Sequence, residues 1–308
     1  MFPMRPSFVT FTAMTKFILP LLAIAALSVR AAEPATPNNS ANLDANRDVA
    51  GKSGFLTDTN RAFPMLFIVG DSTVHNPGRG ERGWGDVIGK NFDTNKIRVE
   101  NHALGGRSSR TFITQGYWDM VLAAAKPGDF LIVQLGHNDG GALNEEAPGS
   151  KYPLRARGTI RGLGEETQEI DNVLTKQHEV VHTYGWYLRK YVSDARAHGM
   201  TPILCTPVPH VPKAEVKAGD VEKSPYVEWS TAVAKNENVP LVNINQISMS
   251  HYVGMTPNEI KAKYFTTADN THSSFAGAEL NAQSVIEGLQ MLTNCPLAGF
   301  LKTEPTAK

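Results

Sequence analysis

The chain has 308 residues, 41% hydrophobic and 19% charged, which supports one large core and excludes a low-complexity or disordered chain. Lys+Arg and Asp+Glu both number 30, so the formal net charge is zero. No polybasic field is left to hold nucleic acid or an anionic membrane surface, and neither partner is expected.

Residues 1–31 read as a signal peptide. Arg5 and Lys16 accompany a 13-residue run, 17–29, that is apolar but for Pro20 and Ser28. A membrane span needs about 20 residues. The run instead has the length of a secretory h-region, and Val29-Arg30-Ala31 offers a small-residue cleavage site. A start at Met14 would give a tighter leader. Cleavage removes three basic residues and no acidic one, which takes the net charge to −3 and leaves no membrane span. A secreted or periplasmic location is therefore expected. Residues 32–60, rich in Ala, Asn, Asp, Pro and Thr, read as a linker or loose arm. One folded domain is expected over 61–300.

From about residue 62, strand and helix patterns alternate. The run 65–69 is short, apolar and closed by Gly70, as a buried parallel strand is. Further strands are expected at 96–101, at 129–135 behind the breaker Pro127-Gly128, at 201–206 ahead of Pro207 and Pro209, and at 239–244. The clearest helix is expected over 178–198. Val180, Tyr184, Tyr187, Leu188, Tyr191 and Ala195 share one face there, and Gly199 stops it. A last helix is expected over 274–292. Such alternation argues a parallel, doubly wound α/β sheet with right-handed crossovers. Residues 140–177 show no clear period and are expected to form a long functional loop. Cys205 and Cys295 are the only cysteines. Export permits a disulfide between them, while the apolar setting of Cys205 equally suits a plain core residue.

Ligands of open α/β sheets bind beyond the carboxyl ends of the strands, and four segments place chemistry there. Gly70-Asp71-Ser72 ends the first strand. Gly105-Gly106-Arg107-Ser108 follows the second, where glycine lets a backbone N–H approach a ligand closely. Gly136-His137-Asn138-Asp139 ends the third. Asp269-Asn270-Thr271-His272 precedes the last helix. An Asp three residues before a His can accept its Nδ1–H, fixing the tautomer and leaving Nε2 as a base. These are the parts of acyl transfer. Ser72 attacks a carbonyl, His272 takes its proton and Asp269 orients His272. The N–H groups of Ser72 and Gly106, with the Asn138 amide, hold the oxyanion.

These blocks resemble those of the SGNH (GDSL) hydrolases over residues 66 to about 290. Gly70-Asp71-Ser72-Thr73, Asn101-x-Ala103-x-Gly105-Gly106-Arg107-Ser108 and Gly136-His137-Asn138-Asp139-Gly140-Gly141 are similar in particular to the rhamnogalacturonan acetylesterases. The resemblance implies a flavodoxin-like three-layer α/β/α sandwich with a five-stranded parallel sheet. It implies removal of acetyl groups from pectic polysaccharide, with no cofactor and no metal. Ser72, Gly106, Asn138 and His272 then carry catalysis, with Asp269 completing the triad. An acetylxylan esterase, small-acyl esterase or lipase of the same fold is the alternative. Ser72 is not flanked as Gly-x-Ser-x-Gly, so the ordinary α/β-hydrolase elbow is absent.

His178-Glu179-Val180-Val181-His182 matches the His-Glu-x-x-His pattern of zinc proteases. The metzincin third ligand would fall at Leu188, and no Glu lies between His182 and Glu215. A zinc metalloprotease is therefore the weaker alternative, and the histidines read as a solvated helix face or as part of the substrate rim beside the long loop. For substrate recognition, Arg107, Arg110, Arg155, Arg157 and Arg161 offer forks for the carboxylate of galacturonate, with Lys151 beside them. Trp84 and Tyr152 offer faces for sugar stacking.

Overall fold

The structure, a computed structural model, describes residues 61–78, 80–150, 153–293 and 295–302. The leader and linker expected over 1–60 lie outside them, as do Lys151 and Tyr152. The strands run in chain order as β1 (Met65–Gly70), β2 (Arg98–Asn101), β3 (Phe130–Gln134), β4 (Glu145–Glu146), β5 (Leu154–Arg155), β6 (Thr167–Asp171), β7 (His178–His182), β8 (Thr201–Cys205) and β9 (Leu241–Val242). The helices are α1 (Ser109–Thr114), α2 (Tyr117–Ala124), α3 (Tyr184–Ala197), α4 (Pro225–Asn236), α5 (Ile244–Ser250), α6 (Pro257–Tyr264) and α7 (Phe275–Met291).

Five strands form one parallel sheet in the order β2-β1-β3-β8-β9. β1 reads MLFIVG and β3 reads FLIVQ, and every residue of both is buried. A run with no polar alternation suits only a strand covered on both faces. Successive residues indeed enter different cores. Met65, Phe67, Val69, Leu131 and Val133 pack with Phe112, Trp118, Leu188, Tyr191 and Val233 from α1 to α4. Leu66, Ile68, Phe130 and Ile132 pack with Ala282, Val285 and Leu289 of α7. The result is the expected three-layer α/β/α sandwich. Cys205 and Cys295 are both free and both sit in the second core.

The helix expected over 178–198 begins six residues late. His178–His182 is strand β7, paired antiparallel with β6 from Thr167↔His182 to Asp171↔His178. Its Val180 and Val181 are β-branched residues that suit a strand. α3 starts only at Tyr184, where the Thr183 hydroxyl caps it by accepting from Trp186 N at 3.0 Å. This corrects the helical zinc-motif geometry. Four residues of strand set the two histidines roughly 13 Å apart along the chain, too far to ligate one ion. His178 instead lies in solvent between Glu169 and Asp171.

The long segment 140–177 is likewise more than a loop, since it carries β4, β5 and β6. Arg110 fastens it. The Arg110 side chain is fully buried and forks onto Glu179 of β7 through Nε at 2.7 Å and Nη2 at 2.8 Å. Its Nη1 donates to the carbonyls of Leu143 and Gly158, both at 2.9 Å. One guanidinium thus ties α1 to both flanks of the β4–β5 pair and to the β6–β7 hairpin. Arg110→Met should leave the Glu179 charge without its counter-ion, with only Asn172 Nδ2 still donating to it, and cost about 3 kcal/mol of stability in urea unfolding. A loss under about 1 kcal/mol would show that the excursion is held by something else.

Candidate active site

Ser72 stands two residues beyond β1's last pair, at the carboxyl edge of the sheet. Its turn is set by the residue before it. The buried Asp71 carboxylate accepts from Thr73 N at 2.9 Å and from Thr73 Oγ1 at 2.8 Å, bridging across the serine. Ser72 Oγ lies 2.8 Å from His272 Nε2. The other ring nitrogen, Nδ1, lies 2.6 Å from Asp269 Oδ2. Asp269 Oδ1 accepts from Thr271 N at 2.7 Å and His272 N at 2.8 Å, so the carboxylate also shapes the loop that presents the imidazole. Burial opposes ionisation of Asp269. The bonds from the His272 backbone and ring and from Thr271 outweigh it and hold the carboxyl below its ordinary value.

The His272 loop is clamped on both sides. Ser274 caps α7, accepting from Gly277 N. Bridges Phe265↔Ser273 and Glu81↔Ser274 pin the same stretch, and Arg82 N donates to Ser273 O at 2.9 Å. These contacts bring Glu81 close behind the dyad. It is 8% exposed, and its carboxylate lies within 4.8 Å of the Asp269 and His272 ligand atoms. It accepts from Asn76 Nδ2 at 2.7 Å and from Thr266 Oγ1 at 3.5 Å. Among the described residues this trio is the grouping with metal-ligand spacing.

Opposite the imidazole lie hydrogen-bond donors. Gly106 has φ +79°, and a Cβ there would meet nothing within 4 Å. A Cβ on the preceding Gly105 would stand 3.6 Å from that of Ser72. Among the described residues, neither the Ser72 N–H nor the Gly106 N–H has a hydrogen-bond acceptor. Asn138 Nδ2 donates one hydrogen to Arg107 O at 2.9 Å, which orients the amide beside Gly106 and leaves its second hydrogen. Three donors beside a serine–imidazole pair are what an acyl-transfer oxyanion requires.

Beneath the site, Asp139 accepts from Ser109 N at 3.1 Å and from the Ser109 hydroxyl. Burial pushes its carboxyl up to about 7 against the pull of those bonds.

The proposed substrate contacts fare differently. Arg110 is wholly enclosed and cannot meet a sugar carboxylate. Arg107 is 6% exposed, donates to Tyr117 Oη at 3.2 Å and lies over the Tyr117 ring. Trp84 is 0% exposed, and its indole Nε1 donates to Gln134 Oε1 at 2.7 Å, so it is packing and not a sugar platform. Arg155 lies out on β5, donating to Ser150 Oγ. Arg157 is exposed and packs against Gly141, three residues past Asn138, and Arg161 is exposed over the Trp229 ring. Arg157 and Arg161 are thus the arginines left facing solvent near the Asn138 side. Residue order did not single out Glu81, Thr73 or Gln134. Glu81 is bridged to Ser274, far along the chain, a pairing that residue order does not show.

Comparison with known proteins gives the family. The GDSL-like Lipase/Acylhydrolase family matches residues 68–280. The chain is 28% identical over 235 residues to the probable rhamnogalacturonan acetylesterase YesY of Bacillus subtilis (strain 168), covering 74% of this chain and 93% of that one. It is 24% identical over 226 residues to the rhamnogalacturonan acetylesterase of Emericella nidulans, covering 73% and 84%. Among solved structures, the Bacillus subtilis protein YxiM superposes with a TM-score of 0.55 at 23% identity, over 74% of this chain and 56% of that one.

Asp139 generates a pH prediction. The folded state holds its proton to about 7, the unfolded chain only to 3.8. Its contribution is therefore full below the unfolded value and is lost as pH rises through the folded one. Asp139→Asn removes the titration. The stability of wild type minus variant, from denaturant unfolding, should fall as pH goes from 4 to 8. A flat difference would mean that Asp139 is ionised throughout.

Proposed function

The chain belongs to the GDSL-like lipase/acylhydrolase family, and from that premise we propose that it is an exported enzyme that removes acetyl groups from rhamnogalacturonan. That it is a serine esterase of the acetylesterase type follows from its relatives. The mechanism, substrate and location are the further reading. One observation carries the mechanism: His272 Nε2 stands 2.8 Å from Ser72 Oγ with Asp269 on its other nitrogen.

Ser72 Oγ attacks the acetyl carbonyl while His272 Nε2 takes the hydroxyl proton. Asp269 keeps the proton on Nδ1 and stabilises the imidazolium. The carbonyl oxygen becomes an oxyanion, received by the N–H groups of Ser72 and Gly106 and the Asn138 amide. Collapse of the intermediate breaks the ester bond, and His272 returns its proton to the departing sugar hydroxyl. A water then gives a proton to the same imidazole and attacks the acetyl-enzyme; the bond between Ser72 Oγ and the acetyl carbon breaks, His272 returns the proton to Oγ, and acetate leaves.

Support for the pectic substrate comes from the relatives' names and from charge. Galacturonate carries a carboxylate on each sugar, and Arg157 and Arg161 are exposed near the Asn138 side. A long acyl chain would need an apolar groove, whereas β6 has four exposed polar residues of five. Export rests on the apolar run 17–29 and its flanking basic residues.

Ser72→Ala should lower kcat on a chromogenic acetate at least about 10⁴-fold while circular dichroism stays unchanged, and Asp269→Asn should cost about 10⁴-fold. A Ser72→Ala enzyme at near wild-type rate would sink the mechanism, as would loss of wild-type activity to a chelator with recovery on Zn²⁺.

Acetate release from acetylated rhamnogalacturonan should exceed that from acetylated xylan, and long-chain esters should be poor. Faster cleavage of a long-chain ester would overturn the carbohydrate assignment.

A further inference from the structure

His137 takes no part in the steps above, yet it lies directly under the nucleophile. Its side chain is 4% exposed. Nδ1 lies 3.3 Å from Asp71 Oδ2, and Nε2 lies 3.1 Å from Val208 O. A carbonyl can only accept, so Nε2 carries a hydrogen. A neutral imidazole has one N–H. The state of the Nδ1–Asp71 contact therefore decides the charge. Either the proton sits on Nδ1 and both groups are ionised, or it sits on Asp71 and both are neutral.

A hydrogen-bond relay through the core decides between them. The Trp84 indole nitrogen is only a donor, so the Gln134 atom facing it at 2.7 Å is the carbonyl oxygen. The Gln134 amide nitrogen must then face Thr73 Oγ1, at 2.8 Å, and donate to it. The Thr73 hydroxyl is left to give its hydrogen to Asp71 Oδ1, at 2.8 Å. Thr73 N donates to the same oxygen. Every bond of the relay points toward Asp71, and donors of this kind favour the charged carboxylate.

We infer that His137 is a buried imidazolium, held by Asp71 and Val208 O, that positions Ser72 and cancels the Asp71 charge beneath the oxyanion site. Desolvation resists both charges, but the mutual attraction and the Thr73 bonds prevail, placing Asp71 below its ordinary range and His137 above its own. The other ionisable groups facing the ring act in the same sense or are remote from its nitrogens. His210 packs at 5.1 Å between centroids and is itself paired with Glu222 at 2.8 Å, and Asp139 lies two residues on. The geometric consequence is direct. Asp71 and Thr73 flank Ser72, and His137 holds by its other oxygen the side chain that bridges them. The electrostatic consequence follows. An unpaired carboxylate one residue from the nucleophile would oppose the negative charge that develops on the acetyl oxygen.

The catalytic half of this inference rests on the esterase reading, whereas the charge state does not. The first test is therefore spectroscopic. Ring ¹⁵N signals of the histidine-labelled full-length chain, with His137 assigned by their loss in His137→Gln, should show both nitrogens protonated at pH 7. An ordinary imidazole loses its second proton near 6.5. An unprotonated Nδ1 at pH 7 overturns the inference. The second test separates charge from packing. His137→Gln should lower kcat on a chromogenic acetate by about 10- to 100-fold, the worth of one hydrogen bond to a charged group, with KM nearly unchanged. The double variant Asp71→Asn/His137→Gln, which removes both charges, should recover part of that loss. A double variant slower than His137→Gln alone would mean that the ring acts by shape, and the charge-cancelling role would fall.

Discussion

The parallel pairing of β1 with β3 governs everything at the site. Leu66↔Phe130 through Gly70↔Gln134 are in register, so both strands end at the same height. Ser72 and Asn138 therefore emerge side by side, though they are far apart in the chain. β2 on the other flank of β1 delivers Gly106 by the same rule. The pairing survives because both faces are covered with apolar side chains, which removes any alternative register that would expose part of a wholly apolar strand.

Around that edge, polar groups sunk into the core do the positioning. The relay Trp84–Gln134–Thr73–Asp71 runs from one core up to the nucleophile turn. Gln134 is the last residue of β3, so the same pairing that places Ser72 also places the relay. Arg110 does comparable work for the excursion, with its guanidinium spread over Glu179, Leu143 and Gly158. Buried polar groups need full hydrogen-bond satisfaction, and a group so satisfied is specific in its geometry. Side chains that look like ligand-binding arginines and a stacking tryptophan are therefore spent on structure.

The excursion itself explains why a helix was expected where a strand stands. Over 178–182, Val180 falls in step with Tyr184 and Tyr187 at helical spacing, but Val180 and Val181 are also β-branched residues that suit a strand. A partner strand, β6, was available, and antiparallel pairing with it satisfied their backbone groups. The periodicity of the segment alone could not choose, because the deciding hydrogen bonds come from residues 167–171.

Local sequence determined the five core strands, the capped final helix, and the segments that carry Ser72, Gly106, Asn138, Asp269 and His272. Those features depend on near neighbours: apolar runs between breakers, and a carboxylate three residues from its imidazole. Tertiary structure alone decided which polar side chains face the substrate and which are buried. Arg110, Arg107 and Trp84 went inward, and Glu81 was drawn up behind His272. Exposure is set by what packs over a residue from distant parts of the chain, and Glu81 meets Ser274, as Arg110 meets Glu179, only after the sheet has formed.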